Sequence, residues 1–259
     1  MNRCIKNALT VCVIALGLAH TVFAADAQAG SVNYFAACKD NAEYAALLKH
    51  VFDDRGVPGA FSGYTVLTER IAAYPYELWQ KDLMRARGAL IVARYANSKE
   101  QRDAAETYMR MADALIEDAG THGAPVSACG VIEALSSSFW YLINKSVSKG
   151  IAFGRIVNDL WENYPEDFHV LLLTADKYLH SPGIVGGNKK KGLALYQRAE
   201  EIAEQHGCAV WDWFSIYAGL AAGYDKAGND VRAYEYALRA REIYTADEQV
   251  NEIITNYED

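Results

Sequence analysis

Apolar residues recur along most of this chain at spacings of three and four, with Ala, Leu, Tyr and Glu dominating, and few segments alternate apolar and polar positions. A period near 3.6 predicts helices and argues against strands. Helix-breaking clusters arrive at Gly56 to Gly59, Tyr74-Pro75, Asn97-Ser98, Gly120 to Pro125, Ser148 to Gly150, Tyr164-Pro165, Ser181 to Asn188, His206-Gly207 and Gly228 to Asp230. They divide the chain from Cys38 onward into segments of roughly 15 to 20 residues, the length of ordinary globular helices. The simplest reading is all-α: ten helices in five antiparallel pairs, closed by a short capping helix from about Asp247.

The last pair carries the most legible pattern. Tyr217, Leu220, Ala221 and Tyr224 are followed by a Gly228-Asn229-Asp230 turn and then by Ala233 and Ala240. This spacing resembles the tetratricopeptide repeat over about Phe214 to Asp247, one full unit of that family's 34-residue period. Tyr217 stands where the family has Trp, Ala221 where it has Gly, Ala237 where it has a large aromatic residue, and Thr245 where Pro is usual. Small residues at 221, 233 and 240 would let paired helices approach while Leu220, Tyr224 and Ile243 fill the space between them. Two earlier segments repeat the second-helix order: Ala105, Tyr108, Ala112, Leu115, and Gly192, Leu195, Ala199, Ile202. Tyr74-Pro75 and Tyr164-Pro165 each end one helix and begin the next, as the family's terminal proline does.

The resemblance implies an α-solenoid whose ligands lie in a concave groove lined by the first helix of each pair. Carried onto the last unit, the groove positions are Ser215, Ala218, Ala222 and Asp225. Lys and Asn at such positions form a carboxylate clamp in cytosolic members, and two alanines leave no such clamp here. The loop Pro182 to Asn188 is longer than the family's ordinary turn, and with the helix after it resembles the tetratricopeptide-like T component of some TRAP uptake systems. Asn188 is placed to cap the following helix. Lys189, Lys190 and Lys191 put positive charge where a helix dipole disfavours it, which marks either a solvated turn or an anion site. In Trp211-Asp212-Trp213 the two rings diverge by about twice 100° around a helix. One of them, with Trp213 the candidate binding residue, should be exposed or should cover a neighbouring pair.

Composition and charge narrow the function. Arg3 and Lys6 precede an uncharged apolar run, Ala8 to Leu18, too short to span a bilayer, and Val22-Phe23-Ala24 fits a signal-peptidase site. Residues 1–24 are therefore expected to be a cleaved signal peptide, 25–37 an N-terminal extension and 38–259 the repeat domain. No second hydrophobic segment stands out, and no lipid-attachment cysteine follows the apolar run, so the expected location is the periplasm or outside the cell, without membrane embedding. Losing Arg3 and Lys6 would take the formal net charge from −8 to −10, which makes nucleic acid a poor partner. Cys38, Cys129 and Cys208 are an odd number at wide spacing and read as free, mostly buried thiols.

The chemistry-bearing motifs are absent from the sequence. The Gly183 to Lys190 stretch lacks the Gly-Lys-Ser/Thr end of a phosphate loop and follows a helix rather than a strand. The histidines show no metal-binding helical spacing, and Ser127 and Ser136 to Ser138 lie outside any nucleophile-elbow context. The expectation is a non-catalytic protein with no cofactor or metal. Its partner would be another protein or a peptide, with a small ligand or a solute-binding protein of an uptake system as the alternative. The candidate binding positions are Ser215, Ala218, Ala222, Asp225, Trp213, Asn188, Lys189 and Lys190.

Overall fold

A computed structural model describes residues 59–258 apart from residue 246. The expected signal peptide, the N-terminal extension, Cys38 and the first expected helix lie outside the described residues. Among those described there are ten α-helices and no strand. They are α1 (Gly59–Ala73), α2 (Leu78–Ser98), α3 (Arg102–Thr121), α4 (Val126–Asn144), α5 (Val147–Asn163), α6 (Phe168–His180), α7 (Lys189–His206), α8 (Val210–Asp225), α9 (Asp230–Ile243) and α10 (Glu248–Glu258), with a 3-10 turn at Gly183–Val185.

Local chemistry sets the ends. Asp167 accepts from the amides of His169 and Val170 at the start of α6, and Asn188 and Asn229 do the same for Lys191 and Arg232 at the starts of α7 and α9. Each cap satisfies donors that have no partner within their own helix. The two Tyr-Pro motifs behave alike, since Ala73 and Asn163 end α1 and α5 and the next helix begins four residues after each tyrosine. One break differs from its sequence reading. The α4–α5 turn falls at Lys145 and Ser146, with Lys145 in the left-handed region (φ 56°), while Ser148 to Gly150 lie inside the first turn of α5. Gly150 sits close against the neighbouring helix, where a Cβ would stand 3.2 Å from the Tyr141 ring across the hairpin.

Every helix packs on the next one along the chain, and the registers show opposite directions. Gly130 faces Leu160 and Gly150 faces Tyr141 across α4 and α5, while Gly219 faces Tyr196 and Gly223 faces Leu193 across α7 and α8. In each case a step away from the turn on one helix matches a step away on the other. The turns after α2, α4, α6 and α8 therefore emerge at one end of the molecule and the remaining turns at the opposite end. Contacts also join α2 to α4, α4 to α6, α6 to α8 and α8 to α10, so the even-numbered helices form an inner row.

The small residues singled out by the sequence pattern are where helices close on one another. Ala105 and Ala112 of α3, Gly192 and Ala199 of α7, and Ala233 and Ala240 of α9 are all buried. On α3 the buried set Ala105, Met109, Ala112, Leu115, Ala119 traces a single stripe. By contrast α4 is apolar almost all round, and by length and composition alone it is the one described helix able to cross a membrane. Here it packs against α2, α3, α5 and α6, with Val126, Tyr141 and Leu142 left exposed. Two hydrophobic clusters fill the interior, one centred on α1 to α5 and one on α6 to α10, and Trp161 and Trp211 pack against both.

Candidate functional site

The inner row lines a half-open cavity of about 240 Å³. Its walls follow helical periodicity: Arg87, Leu90, Ile91 and Arg94 on α2, Val131, Ile132, Leu135 and Phe139 on α4, His169, Leu172, Leu173 and Asp176 on α6, and Trp211, Asp212, Phe214 and Ser215 on α8. Tyr196 of α7 completes the lining. On α2 and on α6 a polar residue stands at each end of the stretch with apolar residues between them. Seven residues separate the ends, about 10 Å along a helix.

At one end, three buried polar side chains meet. Arg87 donates from Nη2 to Asp212 Oδ1 at 2.6 Å, and His169 Nε2 lies 3.2 Å from Asp212 Oδ2. Asp212 is 1% exposed and His169 5%. Burial by itself would raise the Asp212 carboxyl, but the charges and hydrogen bonds of Arg87 and His169 outweigh it and hold the group well below the usual carboxylate range. The ion pair spans 125 positions of sequence. Because α2 and α8 do not pack closely along their backbones, the long guanidinium stem bridges the gap between them.

At the other end, Asp176 accepts from the Tyr196 hydroxyl at 3.4 Å and lies 3.7 Å from His180. Arg94 is exposed at this mouth and enters no ion pair among the described residues. Burial is the main reason that the Tyr196 hydroxyl is raised well above its ordinary value, so it stays a hydrogen-bond donor at any physiological pH. The Ser215 hydroxyl donates to the carbonyl of Trp211 in its own helix. Among the described residues no three His, Cys, Asp or Glu side chains are grouped to hold a metal ion. The arrangement can hold a small apolar group between a charge-balanced floor and a polar rim.

The structure separates the positions named from sequence. Ser215 lines the cavity. Ala218 is half-buried, Ala222 is buried, and Asp225 is exposed, beside a shallow depression shared with Asp230, Ile253 and Tyr257. Trp213 stacks on Tyr217 with ring centroids 5.2 Å apart, and Arg239 lies over the Tyr217 and Tyr236 rings, so this tryptophan covers its neighbours. Trp211 is the ring that faces the cavity. Asn188 caps α7, Lys189 and Lys190 are exposed, and Lys191 turns back to donate to the Tyr178 hydroxyl at 2.8 Å. Cys208 is buried and Cys129 half-buried. The sequence reading did not single out Arg87, His169 or Asp212 as a group. Its available signals were an aspartate between two tryptophans and a histidine inside the apolar run Phe168 to Ala175.

Compared with family models, curated proteins and solved structures, the chain matches none.

Proposed function

We propose that this protein is a non-catalytic, tetratricopeptide-like binding protein of the periplasm or cell exterior, with about five helix pairs and a capping helix forming an α-solenoid. Its inner row would receive an apolar side chain of a peptide or partner protein. The observation that carries this reading is the cavity itself, walled by the first helix of four successive pairs, which is where such repeats take ligands. Its size suits one anchoring side chain, being below the roughly 300–1,000 Å³ of sites for drug-sized molecules. Burying such an anchor in a desolvated pocket is how most interface energy is concentrated.

A photoreactive residue at Ser215, activated in intact cells, tests this. A crosslinked polypeptide that disappears when Val131→Phe fills the cavity supports the reading, and crosslinking insensitive to that change sinks it. A second reading, a small solute held for an uptake system, draws on the same volume and on the paired charges at its floor. Native mass spectrometry of the purified chain separates the two: a retained small molecule lost in Val131→Phe favours the solute.

A further inference from the structure

The end of the molecule where α2, α4, α6 and α8 terminate differs in chemistry from the opposite end. There, the three most exposed large hydrophobic residues of the described chain are gathered: Ile184 at 95%, Ile151 at 70% and Val147 at 68%. Each stands beside exposed lysines, Lys145 and Lys149 around the α4–α5 turn and Lys189 after the α6–α7 loop. No acidic residue occurs between Glu133 and Asp159, or between Asp176 and Glu200. The opposite turns carry Glu77, Glu166, Asp167 and Asp247 and no lysine or arginine. The outer turns of the same end mix both signs, Lys99 and Arg102 with Glu100 and Asp103 after α2 and Lys226 with Asp225 and Asp230 after α8, so the basic, acid-free part of this end is the pair of inner turns, α4–α5 and α6–α7.

We propose that this lysine-rich, apolar-tipped edge docks on an anionic phospholipid surface. Apolar side chains at protruding turns can enter the headgroup region, while lysine stems lie along apolar surface and keep their ammonium groups among phosphates. An anionic surface repels an acidic molecule as a whole, so contact is favoured through the two inner turns, where lysines stand without neighbouring carboxylates in the sequence. A second copy of this chain is a poorer occupant, because a two-fold contact through this edge would set lysine against lysine. The tips project from separate turns and enclose no groove that a peptide would fill.

The test uses the full chain and a local readout, so that binding through the apolar Ala8 to Leu18 run does not contribute. Hydrogen exchange is followed at Val147 to Gly150 and at Ser181 to Lys191. Lys149 and Gly150 donate their amides to the Ser146 carbonyl, which leaves those of Val147 and Ser148 as the ones that exchange quickly unless covered. Vesicles of equimolar phosphatidylglycerol and phosphatidylcholine should slow exchange in both segments about tenfold, and pure phosphatidylcholine should not. Ile151→Glu with Ile184→Glu should abolish the slowing, and each of Lys145→Glu and Lys149→Glu should weaken vesicle affinity through this edge about fivefold or more. Unchanged exchange on anionic vesicles overturns the proposal. So does slowing that appears with rising protein concentration in the absence of lipid, which assigns the edge to self-association. Slowing by polyglutamate but not by vesicles likewise overturns it, in favour of an acidic protein.

Discussion

Gly219 of α8 lies flat against the Tyr196 ring of α7, so that a Cβ at 219 would stand 2.2 Å from Cζ of the tyrosine. Tyr196 is buried and tied through its hydroxyl to Asp176, so it can yield only by turning its ring toward the cavity that it lines. Gly219→Ala should therefore displace the ring or force the two helices apart, and cost about 1–3 kcal/mol in denaturant unfolding, the range for overpacking. Gly219→Ala with Tyr196→Leu should lose less than the two single changes together, since the smaller side chain removes the collision.

Gly154 is the counter-case. It sits inside α5 with nothing within 4 Å of the space a Cβ would take. Gly154→Ala should stabilise the protein by about 0.5–1 kcal/mol, because alanine loses less backbone freedom in a helix interior. A thermal melt comparing the two alanine variants would show shifts of opposite sign.

The buried Asp212 gives a pH dependence with a defined direction. Its folded-state pKa is depressed, so the unfolded chain binds the proton more readily. The stability it contributes is fully present above the ordinary aspartate value of about 3.9 and is lost as pH falls toward the folded value. Asp212→Asn should cost about 3–5 kcal/mol at neutral pH, because it leaves Arg87 buried without its counter-charge. Its stability should also fall less steeply than that of the wild type below pH 4. Arg87→Met with Asp212→Leu should recover much of the loss, as buried pairs replaced whole by apolar groups are often neutral.

Asp167 offers a check on the helix starts. Its carboxylate accepts from two amides of α6 and is itself buried. Asp167→Ala should cost about 1–2 kcal/mol, while Asp167→Ser should recover most of it, since a hydroxyl oxygen can accept the same bonds. Chemical denaturation of the three chains measures both.

Helix content and most boundaries were legible because they rest on local chemistry. Proline after tyrosine, asparagine before Lys189, and small residues at helical spacing each act within a few positions. The α4–α5 turn was misplaced by a few residues because Lys145 adopts its left-handed conformation without the glycine or asparagine that usually marks one. Ser148-Lys149-Gly150 resembled a turn, whereas its glycine answers to the Tyr141 ring on the neighbouring helix. Of the positions carried over from the resemblance, Ser215 lines the cavity, whereas its polar floor was not legible. Nothing in the neighbourhood of residue 87 announces residue 212, since their pairing depends on how four helices curve around a shared space. The same holds for Trp211 and Trp213: helical angle separated them, but only the neighbouring rings decided which faces the cavity.

Linear helical arrays grow and shrink readily in evolution, because adding a unit disturbs only its immediate neighbours. The array proposed for this chain would lack that freedom, because Arg87 bonds to Asp212 across it. Inserting or deleting one hairpin anywhere between them would shift one charge a full step away from the other and leave both stranded indoors. The number of hairpins between these two side chains is thereby counted by a single ion pair, as a clasp fixes the number of links in a bracelet.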